Sequence, residues 1–233
     1  ARNKGIADAR GRYVVFLDSD DLMRANHLSA LREIIEKHPG INFLATKYEF
    51  IRDGKPCSAG LEAIKEGEYG IDFFLRGAPI GSVFCIKKDN PYLKWFEEDR
   101  RYATSEDWMF VVQNLVEDKM YIADNVTMSV NDHDLRSMRS YNQEVIKAKL
   151  LAKDWIIKNV PLSNDQIRIL ESHTYYFCGI HSYLDNRRRD ALKYLFNSAK
   201  KSAINFRLGL LLIKTLLGYE AVQKIKGHIP EFR

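Results

Sequence analysis

The feature that most constrains this chain is an apolar run that breaks off into acid: Tyr13, Val14, Val15, Phe16 and Leu17 are followed by Asp18, Ser19, Asp20 and Asp21. Consecutive apolar positions of β-branched and aromatic type predict a strand covered on both faces, the kind found in the parallel sheets of α/β proteins. Ligands collect at the carboxyl ends of such strands. With the chain extended, Asp18 and Asp20 project to one side and Asp21 to the other. Two carboxylates placed that close repel unless a cation lies between them. Hard oxygen ligands select Mg²⁺ or Mn²⁺, and Mg²⁺ is typically shared between one or two carboxylates and substrate phosphates. The competing expectation is a polar turn in which Asp21 caps the next helix.

The chain has 233 residues, 45% of them hydrophobic, enough for one large domain or a domain with an appendage. Its formal charge is +5, from 36 basic and 31 acidic residues. That excess suits anionic ligands or an anionic membrane surface, and no nucleic-acid partner is required by it. The basic clusters Arg187–Arg189 and Lys200–Lys201 read as a solvated face. Cys57, Cys85 and Cys178 are scattered and form no CxxC pair, which predicts reduced, inert thiols in a cytoplasmic protein. The longest apolar run, Leu208 to Leu217, is interrupted by Lys214 and too short to cross a bilayer. A soluble or peripheral protein is expected. Because the chain opens on Ala1, Arg2 and Asn3, it is expected to begin inside a domain.

Periodicity predicts a short helix over residues 1–9 and, after the acids, a helix on Leu28, Leu31, Ile34 and Ile35 that closes at His38, Pro39 and Gly40. A strand over 41–51 turns at Asp53 and Gly54 into a hairpin. A loop and a short helix over 71–75 follow, then the small-residue loop Ala78–Ser82 and a strand on Val83–Ile86. An amphipathic helix is expected from Thr104 to about Glu117, then two short strands, Met120–Ala123 and Val126–Val130, and a polar loop from Asn131 to Asp134. From Tyr141 the signal is helix after helix: 147–157, 165–184, 190–201 and 205–217. These patterns predict two units, an α/β portion over 1–142 and a helical one over 143–233. Tyr176, Gly179 and Tyr183, paired with Ala191, Tyr194, Leu195 and Ala199, resemble one tetratricopeptide helical hairpin, short of the three a stable array needs.

A second acidic group, Glu106 and Asp107, opens a helix beside Trp108. Acid there is stabilised by the helix dipole, and Thr104 with Asp107 can make a capping-box-like exchange. The functional reading is a carboxylate projected into the same cleft as Asp18 and Asp20, its pKa raised by desolvation against Trp108, as a general base requires. His133 is a candidate metal ligand, Arg136 a candidate partner for a diphosphate, and Gly81 and Ser82 a loop that permits close backbone approach to a ligand.

Taken together, Ala1-Arg2-Asn3-Lys4-Gly5-Ile6, then Ala9 and Gly11, the segment Tyr13–Asp21, and Glu106-Asp107-Trp108 resemble the family 2 glycosyltransferases of GT-A fold, over roughly residues 1–140. The resemblance implies an α/β, Rossmann-like mixed sheet with flanking helices, N-terminally truncated and followed by an all-α region. It implies Asp20 as metal ligand, Asp18 near ribose or metal, and Asp107 as catalytic base. Arg2, Asn3, Gly81, Ser82, Glu106, Trp108 and Arg136 would contact substrate, and His133 would assist the metal. The expected partners are a nucleotide-sugar donor and a glycan or lipid-linked acceptor, with Mg²⁺ or Mn²⁺ as cofactor. The family's first strand and its nucleotide-selecting acids are expected upstream of Ala1, and Asn131 stands where the family often carries an arginine.

Two rivals remain at this level. A phosphatase of haloacid dehalogenase type also places Asp-x-Asp after a buried strand, but Leu22-Met23-Arg24 lacks the Thr or Val it expects. A non-enzymatic helical adaptor would use residues from about 142 onward to bind a partner. The alternately basic and apolar C-terminal helices also suit peripheral contact with a membrane that presents a lipid-linked acceptor.

Overall fold

The computed structural model describes residues 1–77, 79–81, 83–132, 142–202, 205–219 and 222–223. Helix α1 (Arg2–Asp8) leads into strand β1 (Tyr13–Val15), a turn, and strand β2 (Leu22–Met23). Helix α2 (His27–Lys37), β3 (Phe43–Arg52), β4 (Lys55–Cys57), β5 (Gly67–Tyr69), α3 (Ile71–Phe74) and β6 (Cys85–Lys87) follow. A 3₁₀ turn (Arg100–Tyr102) precedes α4 (Glu106–Asn114) and the long strand β7 (Met120–Asn131). The helices α5 (Asn142–Asn159), α6 (Asn164–Leu184), α7 (Arg188–Lys201) and α8 (Phe206–Leu217) complete the described chain.

The sheet runs β1-β6-β3-β7-β2, with β4 beside β3 and β5 beside β7. Among the described residues, β3 and β7 pair in parallel and the other pairings are antiparallel. This is the mixed sheet with flanking helices of a GT-A-like fold. Two expectations change here. Strand β1 is not a doubly covered parallel strand: it ends the strand order, pairs antiparallel with β6, and is half-buried throughout. The two short strands expected over 120–130 are one strand. Its pairing with β3 jumps from Ala45↔Ile122 to Lys47↔Val126, a bulge that accommodates Asp124 and Asn125, both poor strand formers. Lys47, buried in β3, ties this bulge down through a 2.7 Å ion pair with Asp124.

The hairpin between β3 and β4 turns at Asp53 and Gly54, both in the left-handed region at φ 51° and 72°, as two-residue hairpin loops demand. Strand β5 carried no signal in the sequence: its three residues add to β7 through Tyr69↔Met120 and Gly67↔Ile122.

The main core is aromatic and lies under the acids. Phe96 and Phe110 stack with centroids 3.8 Å apart, and Phe16 meets Phe84 at 5.2 Å and Phe96 at 5.5 Å. Such ring pairs add about 0.5–1.5 kcal/mol each beyond the area they bury. Phe16 stands two residues before Asp18 and Phe110 three after Asp107, so this packing draws the two acidic segments together.

The same core takes in Ala152 and Ile156 of α5 and Leu170 of α6. Ser163 and Gln166 form a reciprocal capping box at the start of α6, and Gln166 Nε2 reaches Asp72 of α3 at 2.8 Å. Caps of this kind contribute about 1 kcal/mol. The expected pairing of Gly179 with Leu195 is present at close range: a Cβ on Gly179 would meet Leu195 Cδ2 at 2.5 Å. Among the described residues no helix is long and apolar enough to cross a membrane.

Candidate active site

Leu17 through Asp21 leave the strand. Asp21 N–H donates to Asp18 C=O at 3.1 Å, closing a turn in place of the extended chain expected there. Asp and Ser favour such turns because their side chains compete for local backbone donors. Asp21 does not cap α2, whose N-cap is Asn26; its Oδ1 instead accepts from Asn131 N–H at 3.1 Å, pinning the turn to β7. Asp18 is half-buried and Asp20 exposed at the tip.

Helix α4 begins at Glu106 after N-cap Ser105, which makes no side-chain cap bond. The capping exchange expected of Thr104 and Asp107 is absent: Thr104 Oγ1 and Asp107 Oδ1 are both buried without a hydrogen-bond partner. Burial drives the Asp107 carboxyl up to about 7, against the pull of Arg2, with Glu106 and Asp18 adding repulsion. Trp108 is buried beside Asp107, its Nε1–H donating to Phe74 C=O at 2.7 Å.

Arg2 joins the two acidic groups. Its Nη2 donates to Asp18 Oδ1 at 2.9 Å and its Nη1 to Glu106 Oε1 at 3.1 Å, with Asp107 Oδ1 3.3 Å from Nη1. Burial opposes its charge, but the three carboxylates outweigh that and raise its pKa. Asn3 next to it serves the backbone: Nδ2 donates to Phe96 C=O and Oδ1 accepts from Phe96 N–H, both at 2.9 Å. Helix α1 is thereby fastened to the loop beneath the site.

Two hollows flank this ridge. One, of about 530 Å³, is lined by Arg2, Asn3, Asp18, Ser19, Glu98, Arg100 and Glu106. The other, of about 550 Å³, is lined by Asp18, Asp21, Gly81, Asp107, Trp108 and Asp132 on the sheet side. Gly81 sits in its wall at φ 58°, a conformation that favours glycine. The structure thus gathers Arg2, Asp18, Glu106, Asp107, Trp108 and Gly81. Ser82, His133 and Arg136 lie outside the described residues. A larger open hollow between the end of α2 and the start of β7 contains none of these groups.

The second hollow also has a wall that sequence reasoning did not find. Arg76, and Lys149, His173, Thr174, Phe177 and His181 from α5 and α6, face the acids across it. One signal was available: Lys149 interrupts an apolar stripe of Val145, Ala152 and Ile156, all buried, at the spacing of a single helix face.

For a divalent cation the donor chemistry fits. Asp18 lines both hollows, and Asp20, exposed on the same turn, lines neither; both offer hard carboxylate oxygens, and among the described residues no three ligating side chains converge into a closed cage. A cation here would take much of its shell from substrate, the habit of Mg²⁺.

The mixed sheet with flanking helices is that of a GT-A-like glycosyltransferase fold. Residues 1–86 match the model of Glycosyl transferase family 2. It is 23% identical over 206 residues to an uncharacterized glycosyltransferase of Haemophilus influenzae, covering 87% of this chain and 68% of that one. The crystal structure of S. aureus TarS superposes with a TM-score of 0.53 at 15% identity. The match covers 91% of this chain and 37% of TarS, so the likeness is one of fold.

Proposed function

We propose that this protein moves a glycosyl unit from a nucleotide-sugar donor to an acceptor hydroxyl in a single inverting displacement. The observation that carries this is Asp107: a carboxyl with one oxygen buried and unbonded, driven up to about 7, at the edge of a hollow that Asp18 also lines. A base poised near the working pH is what proton abstraction from a hydroxyl needs.

The Asp107 carboxylate takes the proton of the acceptor hydroxyl. The acceptor oxygen bonds to the anomeric carbon as the bond from that carbon to the diphosphate breaks, and the electron pair leaves with the nucleoside diphosphate. One displacement inverts the anomeric centre, with no covalent enzyme intermediate. Arg2 holds Asp18 and Asp107 in fixed relation, and the aromatic core beneath keeps both backbones in place. Asp20, with Asp18, would hold Mg²⁺ or Mn²⁺, which when bound neutralises charge developing on the leaving diphosphate.

The acceptor we infer is a glycan or lipid-linked glycan, in surface polysaccharide or glycolipid synthesis at the cytoplasmic side of a membrane. The exposed stripe Phe206, Leu210, Ile213 and Leu217 on α8, with Arg207 and Lys214 beside it, supports peripheral contact with an anionic surface. Flotation of the protein with anionic liposomes tests that contact, and protein left at the bottom of the gradient removes it. A screen of nucleotide sugars with Mg²⁺ and Mn²⁺, read as nucleoside diphosphate released in the presence of acceptor glycans, tests the transfer reading. Release of inorganic phosphate from sugar phosphates would favour a phosphatase instead.

A further inference from the structure

Lys149 is out of place by ordinary folding physics. It sits on α5 in the main core's flank, 9% exposed, with its Nζ 2.9 Å from the centroid of the Trp108 ring and 5.4 Å from that of Phe177. Among the described residues it has no carboxylate partner and no hydrogen-bond acceptor. Burial of an uncompensated ammonium is costly, and aromatic faces return only part of that cost. Lys153, one turn on, shows the ordinary solution: its ammonium pairs with Asp154 at 2.7 Å.

Lys149 faces the hollow that Asp107 borders. Its neighbours in that wall share a character. Arg76 Nη1 is 3.4 Å from His173 Nε2, His181 Nδ1 bonds Asn142 Oδ1 at 2.6 Å, and Thr174 Oγ1 is buried without a partner. The carboxylates of the hollow, Asp18, Asp21, Asp107 and Asp132, all belong to the strand ends and the start of α4, and Asp132 is already paired with Arg52. The cavity is therefore divided, acid along the strand ends and the start of α4, and base along α5, α6 and the turn that carries Arg76.

We propose that Lys149, with Arg76 and His173, receives an oxyanion carried by the acceptor, so that the preferred acceptor is an anionic glycan whose hydroxyl is presented to Asp107. This deepens the transfer reading and rests on it for the word acceptor. The anion site itself stands on the unpartnered lysine and the cavity around it. A bound phosphate or carboxylate would supply the counter-charge that the fold withholds, and Thr174 a further hydroxyl donor.

The test uses the full chain in EDTA, so that phosphate has no cation to follow to the acidic turn. Inorganic phosphate and, separately, acetate are titrated calorimetrically into the wild type, Lys149→Met and Lys158→Met, the last being an exposed lysine on the same helix. At least one of the two anions should bind the wild type and Lys158→Met alike, and Lys149→Met at least about tenfold more weakly. Which anion binds tells phosphate from carboxylate. The same anion should raise the melting temperature of the wild type and leave that of Lys149→Met unmoved, which separates a lost site from a lost fold. Binding of neither anion, or equal binding to Lys149→Met, overturns the proposal. The transfer reading fails separately: Lys149-dependent anion binding in a protein that turns over no nucleotide sugar would leave the site and remove the acceptor.

Discussion

Arg2 Nη1 stands 3.3 Å from Asp107 Oδ1, yet that oxygen accepts no hydrogen bond. The attraction is coulombic, and it opposes the rise in the Asp107 pKa that burial imposes. Arg2 spends its hydrogen bonds on Asp18 and Glu106, so one guanidinium fixes the geometry of both acidic segments and tunes the acid that would react.

That tuning has a pH signature. The base works ionised, so kcat/KM should rise with pH to a plateau above about 7, where Asp107 loses its proton, and fall roughly tenfold per unit below that. Replacing Arg2 with Gln removes the charge that holds the pKa down. The acid limb of the profile should move to higher pH, with the plateau reached later. An unmoved limb would mean that Arg2 does not act on the titrating group.

Metal dependence should reside in the turn. Donor binding measured by calorimetry should strengthen when Mg²⁺ or Mn²⁺ is added to the wild type, and Asp20→Ala should lose that increment. The same metal-dependent gain in the variant would move the cation elsewhere.

Lys149→Met should make the protein more stable. Burial lowers the Lys149 pKa well below 10.5, so between the folded value and 10.5 the unfolded chain binds more protons and stability rises with pH. Methionine removes both the buried charge and that slope. At neutral pH the variant should melt higher by roughly 3 °C or more, about 1 kcal/mol for a chain of this size. Differential scanning calorimetry at pH 7 and pH 9 should show the gap narrowing at the higher pH.

Gly179→Ala should cost roughly 1–3 kcal/mol, since the new methyl falls 2.5 Å from Leu195 Cδ2 in the α6/α7 contact. Urea titration followed by helical circular dichroism measures it. Pairing Gly179→Ala with Leu195→Ala should recover part of the loss if that clash is the cause.

How much of this was legible in the sequence follows from how local each determinant is. Helix α2, the Asp53-Gly54 hairpin and the Ser163 start of α6 are written in short-range periodicity, turn chemistry and capping, and they appear within a few residues of expectation. Strand β5 was invisible because Gly67–Tyr69 becomes a strand through its pairing with the distant β7. The acids at 18–21 were legible as chemistry but misread as geometry: the apolar run ends in a turn, and what orients Asp18 is Arg2. The convergence of Asp18 with Asp107 depends on Phe16, Phe96 and Phe110 meeting, which no single stretch encodes. The basic wall was least legible, since Arg76, Lys149 and His173 come together only where α5 and α6 pack against the turn after α3.

The central claim is that Asp107 is the base of an inverting transfer, and the most direct measurement is single-turnover transfer by Asp107→Asn beside the wild type at pH 8, with donor binding followed in parallel. Asparagine keeps the shape, cannot take the proton, and relieves the cost of ionising a buried carboxyl above pH 7, so the variant should fold and bind donor as the wild type does. Transfer should fall by about 10²–10⁴-fold. Transfer at near the wild-type rate, with donor binding intact, would contradict the account.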